Sequence, residues 1–414
     1  MDAPAPHTQP ARPLQPVLRR PLRALAGLAL LLLAASEARA LLRFNDGKEQ
    51  VYVTAYVGTG YDSNVFSRSS SASGGPSGGD LLISAGAGME YARKAGLIGV
   101  NASLGWDLGN FTTFTAENFL NPSASLEFSK GTGRTTGAIQ FNVRKETRAD
   151  PTVGLRTDSW NYGVNLNYRY PVIERYSFAG SLGWDTVTYS DPGPTFSNLN
   201  TYNISTDLFY NWRSDRDLLA GYRYRTSIAE FLSTSHDHSI YAGVSGRILA
   251  KLSGSARVGW TFRTSEYPNG VTDAGSDGVY FSLAGTWPAT RKATYSLSAT
   301  QDFNTTSTNF QTQTTSLDLT GKFSHTVKFN TNANIGVGQT EFISGYASDA
   351  PAVSTGFNGQ DRTDNYFTAG VGADYTFKSH FTVSTSYTYY QNWSNLSAFV
   401  FQRHSISLTL STRW

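Results

Sequence analysis

The chain has 414 residues, 34 Lys and Arg against 31 Asp and Glu, and no cysteine. The missing cysteines exclude disulfides, thiolate metal sites and a cysteine nucleophile, and a mean hydropathy of −0.32 excludes a polytopic bundle of membrane helices. Gly (39), Tyr (23), Phe (24) and Trp (8) are plentiful, a supply that suits strands better than helices.

The first predicted element is a secretory signal. A basic stretch, Arg19 to Arg23, precedes the apolar run Ala24 to Ala35, and Ala38 and Ala40 then stand at the A-x-A spacing of a cleavage site. The apolar run is too short to span a bilayer comfortably. Cleavage after Ala40 makes 1–40 a signal peptide and 41–414 the mature barrel domain. The leader removes five Arg and two acids, leaving 29 basic and 29 acidic residues. A mature chain of zero formal charge offers no electrostatic case for nucleic acid, and no nucleic-acid partner is expected.

From Val51 onward, alternating runs of roughly 10–14 residues are separated by breaks, the weak period-two signature of a transmembrane β-barrel. In 159–170, Tyr162, Val164, Leu166, Tyr168 and Tyr170 take one face, and Asn161, Gly163, Asn165, Asn167 and Arg169 take the other. In 200–212, Tyr202, Ile204, Leu208, Tyr210 and Trp212 oppose Asn203, Ser205, Asp207 and Asn211. In 251–263, Leu252, Ala256, Val258, Trp260 and Phe262 oppose Ser253, Ser255, Arg257, Thr261 and Arg263. Aromatic residues near run ends (Tyr170, Trp212, Phe323, Phe377, Trp393) fit interfacial girdles, and the Asn, Ser, Thr and Gly of the other face fit a wet lumen. The breaks read as alternately short (such as 94–96, 171–175, 213–216, 378–380) and long (67–80, 189–198, 233–238, 267–276, 344–360), as periplasmic turns and extracellular loops do. The expected fold is all-β: an antiparallel up-and-down barrel of about 18 strands, or 16 if one run has been split, in the lipid of a bacterial outer membrane.

The chain ends on an alternating run, Ile406, Leu408, Leu410 and finally Trp414, with Thr412 as a polar departure. A last strand must pair with the first to close a barrel in lipid. Its aromatic terminus resembles the signal read by the outer-membrane insertion machinery, which makes that machinery an expected partner.

The stretch 58–68 carries Tyr61, Asp62, Asn64, Val65 and Phe66 in the pattern Y-D-x-N-[V/I]-F. It resembles the porin-like outer-membrane barrels of bacterial exopolysaccharide and capsule loci, the β-barrel porin 2 type. The resemblance implies a role in the passage of solutes or envelope polysaccharide.

No catalytic motif emerges. Gly58–Gly60 and Gly86–Gly88 lack the helix that a dinucleotide fingerprint needs. His236 and His238 flank Asp237 in a predicted loop, but no third ligand is near, so neither metal nor cofactor is expected. No histidine sits beside a nucleophile motif, and no enzymatic activity is expected. The inward face is the candidate site. By register it carries Arg144, Arg148, Arg169, Arg223, Arg225, Arg257 and Arg263, with Asp107, Asp185, Asp207, Asp302, Asp318 and Asp374 as acids. Arginines on adjacent strands favour anionic solutes if they are free, and rigidify the lumen if they pair. The expected function is a porin-like channel for hydrophilic solutes, saccharides or an exported polysaccharide among them. The alternative is a non-conducting barrel that serves exopolysaccharide or capsule export. The loops at 67–80 and 343–361 are the expected constrictions.

Overall fold

The computed structural model describes residues 42–414 apart from 71–75, 94–95, 152–153, 191–195, 231–232, 268–271, 307, 309–310, 344–361 and 379, and apart from the side chains of 272–275. The signal segment and most of the 343–361 loop lie outside the described residues.

A short strand, β1 (Leu42–Phe44), leads into β2 (Glu49–Asp62), β3 (Asp80–Arg93), β4 (Gly99–Phe111), β5 (Phe119–Lys130), β6 (Thr136–Asp150) and β7 (Leu155–Ile173). Then come β8 (Tyr176–Tyr189), β9 (Leu199–Arg213), β10 (Arg216–Ala229), β11 (Ser233–Arg247), β12 (Ser253–Glu266) and β13 (Thr272–Trp287). The chain finishes with β14 (Ala293–Thr305), β15 (Gln311–Ser324), β16 (Phe329–Ile343), β17 (Arg362–Phe377), β18 (Phe381–Ser394) and β19 (Phe401–Arg413). Each long strand pairs antiparallel with its chain neighbours, and β19 pairs with β2 from Ser405↔Asp62 to Arg413↔Thr54. Strands β2 to β19 therefore close an 18-stranded barrel, the larger of the two expected counts.

The period-two pattern explains why the sheet closes this way round. Val258 (62% exposed), Ile240 (61%) and Ile406 (54%) face outward, where water would penalise them and lipid does not. Aromatic residues cluster at the periplasmic rim of that outer face: Trp287 lies 5.6 Å from Tyr295, Tyr295 lies 5.7 Å from Phe323, and Tyr176 lies 5.1 Å from Tyr210. A closed antiparallel sheet with an outward apolar belt and aromatic rims is a transmembrane barrel of the outer-membrane type. The seam is finished by the last residue. Trp414 exchanges both backbone hydrogen bonds with Val53 (2.8 and 3.0 Å) and stacks on His380 at 5.3 Å.

One expected loop is strand. Residues 233–238 open β11, and the connection before them is only 230–232. Ser233, Ser235, Asp237 and Ser239 point inward while His236, His238 and Ile240 point outward. The two rows differ in size and environment but hardly in hydropathy at their start, which disguised the strand. The 230–232 and 151–154 connections are also short on the long-loop side, so the alternation of break lengths has exceptions.

The barrel wall is continuous only in its periplasmic half. Strands β13 and β14 pair from Trp287↔Tyr295 up to Phe281↔Gln301 and then part, although β13 keeps pairing with β12 and β14 with β15. Strands β5 and β6 part in the same way above Ser123↔Arg144. The outer half thus consists of two curved sheets whose edges overlap.

Candidate functional site in the outer half of the lumen

At the first overlap the end of β14 lies inside the wall. Gly278 of β13 faces the lumen, and a Cβ placed on it would meet the Phe303 ring at 3.0 Å and the Gln313 amide at 2.6 Å. Glycine there lets one strand edge lie on the inner face of the other. The covered wall is polar and dry: Ser235 is 0% exposed, Asp237 1%, Ser239 0%, Thr261 1%, Arg263 1% and Ser265 1%.

Arginines bolt the overlap. Arg223 reaches from β10 to Asp302 of β14 with two bonds of 2.8 Å. Arg225 bonds Asp237 at 2.8 Å, Asp302 at 3.3 Å and the Phe303 carbonyl oxygen. Arg263 donates to both Asp237 oxygens, at 2.5 and 2.8 Å, and to the Asn304 carbonyl at 3.0 Å. Its guanidinium also sits 5.3 Å from the Phe303 ring centroid. A strand that leaves its partner needs new donors for its backbone, and two guanidiniums, those of Arg225 and Arg263, help supply them. Burying those charges is tolerable because Asp237 is buried with them and Asp302 stands half-buried beside them.

The second overlap places the end of β6–β7 inside β4–β5. Thr147 bonds the inward Asn121 at 3.1 Å. Arg156 lies 5.0 Å from the Phe111 ring centroid, donates to the Val65 carbonyl at 3.4 Å and pairs with Glu117 at 3.2 Å. Burial pushes the Glu117 carboxyl above the ordinary range, with Arg156 pulling the other way. The Y-D-x-N-V-F segment anchors this corner. Asp62 accepts from the Asn64 amide at 3.0 Å and pairs with Arg403, while Val65 and Phe66 pack against Phe111.

The remaining sequence-predicted residues also lie on the inward face. Arg169 pairs with Asp217 at 2.8 Å and covers Phe209 at 4.5 Å. Arg257 pairs with Asp207 at 3.4 Å. Arg144 and Arg148 share Glu146 at 3.5 and 3.7 Å, with 59% and 69% of their side chains exposed. Asp185 is exposed on β8 and lies beside Gly163. Lower down, a recess of about 450 Å³ opens along Ser253, Ser255, Ser296, Ser298 and Asp318.

Sequence reasoning missed several partners, Asp217 of Arg169 among them. Asp237 was hidden in the supposed loop. Glu146 lies two residues from each of Arg144 and Arg148, and its parity alone marks it as inward. Phe303 carries no sequence signal, because its role depends on where β14 leaves β13. His236 and His238, placed by sequence in a loop, lie on the outer face. His236 is 2.9 Å from the Tyr224 hydroxyl and His238 is 2.7 Å from the Tyr222 hydroxyl. Among the described residues no group of three or more His, Asp or Glu could hold a metal ion. Of the two loops expected to constrict the lumen, 71–75 and 344–361 lie outside the described residues, and the strand overlaps are what the described residues place inside the wall.

No family model matches the sequence, and no curated protein does. Solved structures with a similar fold include Pseudomonas aeruginosa OccK2 (OpdF) in complex with glucuronate, with a TM-score of 0.47, 9% identity and coverage of 90% of this chain and 99% of that one. Pseudomonas aeruginosa OpdK with vanillate gives a TM-score of 0.45 and 10% identity over 88% of this chain and 98% of that one. The FrpB iron transporter of Neisseria meningitidis gives 0.45 and 9% over 82% and 62%.

Proposed function

We propose that the protein is an outer-membrane channel that passes small hydrophilic solutes, saccharides included, through a lumen narrowed by its own overlapping wall. One observation carries this reading. The inner face of β10–β12 is buried under β14 in the outer half, whereas the periplasmic half opens into a polar recess. A polar lumen with a narrow, charged outer half filters by size and charge, and no mobile plug domain is needed.

The same burial favours a second reading, a barrel closed tightly enough to be non-conducting and to serve exopolysaccharide or capsule export as a structural part. Planar-bilayer recording of refolded 41–414 separates the two. The channel reading expects steady single-channel current that is smaller than in a variant whose overlap has been released. A barrel that refolds fully yet carries no current supports the second reading.

A further inference from the structure

We infer that the lumen prefers cations, and that Asp107, Asp185 and Asp318 set this preference. The inference rests on the channel reading and deepens it. The inward arginines suggest an anion path only while their partners are ignored. Arg169, Arg257, Arg403 and Arg413 each pair with one carboxylate (Asp217, Asp207, Asp62 and Glu90), which removes their net charge from the path. Arg223, Arg225 and Arg263 share Asp237 and Asp302, which leaves one residual positive charge; Arg263 is buried, and 14% and 13% of the Arg223 and Arg225 side chains are exposed.

The inward carboxylates are not balanced in return. Asp107 accepts a bond from the Tyr56 hydroxyl at 2.9 Å, Asp374 from the Ser384 hydroxyl at 2.6 Å, and Glu127 from the Asn101 amide at 3.4 Å. These are neutral donors. Among the described residues no cation lies within ion-pair distance of these three, of Asp185 or of Asp318. They stand on β4, β5, β8, β15 and β17, so they are spread around the wall. Against them the path meets Lys322 near the periplasmic end and the single net charge of Arg144 and Arg148 around Glu146. Among the described residues, five uncompensated acids outweigh these two positive charges even with the one residual charge of the Arg223, Arg225 and Arg263 cluster added. A screening length of about 8 Å at physiological salt lets wall charges act across a narrowed lumen. The solutes favoured are then cationic or neutral, such as ammonium-bearing small molecules and uncharged sugars, and free carboxylates and phosphates are disfavoured.

The test is the reversal potential of single channels in a KCl gradient, for the mature chain and for the Asp107→Asn, Asp185→Asn, Asp318→Asn triple variant. The single variants read the same ratio if the triple one does not assemble. The expected result is reversal on the cation side, with the K⁺-to-Cl⁻ permeability ratio falling by about threefold in the triple variant. Arg144→Gln with Arg148→Gln raises the ratio. Anion-side reversal of the unaltered protein, or an unchanged ratio in the triple variant, overturns the inference and leaves the channel standing. Absence of current in a folded barrel overturns both.

Discussion

Asp237 is held between two guanidiniums, those of Arg225 and Arg263, at 1% exposure. Removing it leaves two buried cations without their shared counter-charge, so Asp237→Ala should cost about 3–5 kcal/mol. Urea unfolding of the refolded barrel in detergent measures that loss, and adding Arg263→Met should recover a large part of it. A double variant as unstable as the single one would show that the pair does not couple. Parity alone places Arg223, Arg225, Arg257 and Arg263 on the inward face, because one strand's side chains alternate whatever its neighbours do. Their partners are set across strands, and no local pattern encodes that. Asp237 was doubly hidden, since histidine and serine on opposite faces give almost no hydropathy contrast.

At the level of single strands, Gly278 decides whether β14 can lie against β13. A leucine there would push Phe303 and Gln313 off the wall, so Gly278→Leu should raise single-channel conductance severalfold while the barrel still forms. Unchanged conductance in a correctly folded Gly278→Leu barrel would mean that the overlap does not limit flow. On the periplasmic side, Asp215 in the β9–β10 turn is held below the ordinary carboxylate range by its bonds to Arg247. A depressed pKa contributes stability above the unfolded value and loses it as pH falls through the folded one. The protection factors of amides in 213–216, corrected for intrinsic exchange, should therefore fall as the pH drops below the ordinary carboxylate range, and Asp215→Asn should abolish that pH dependence. Strand existence was legible from period two. The points at which β5 leaves β6 and β13 leaves β14 were not, because register between strands is a non-local choice.

For the molecule as a whole, closure depends on the last residue as much as on the last strand. Trp414 is 5% exposed and meets Phe381 edge-on at 5.8 Å in addition to stacking on His380. Trp414→Ala should cost about 3 kcal/mol and slow assembly, read as a smaller heat-modifiable fraction on a gel after refolding. The strand count, as one of two alternatives, and the outward apolar belt were readable from the chain. Closure follows from one rule, that an open sheet edge is costly in lipid, and the overlaps cover the edges that part in the outer half. Two overlapping sheets also make the outer barrel resemble a camera iris, whose bore is set by how far its leaves slide over one another. Here the travel is fixed by side-chain reach, from Arg223 and Arg225 to Asp302. Lengthening that acid by one methylene, as in Asp302→Glu, should shift the stop and change single-channel conductance by a small step.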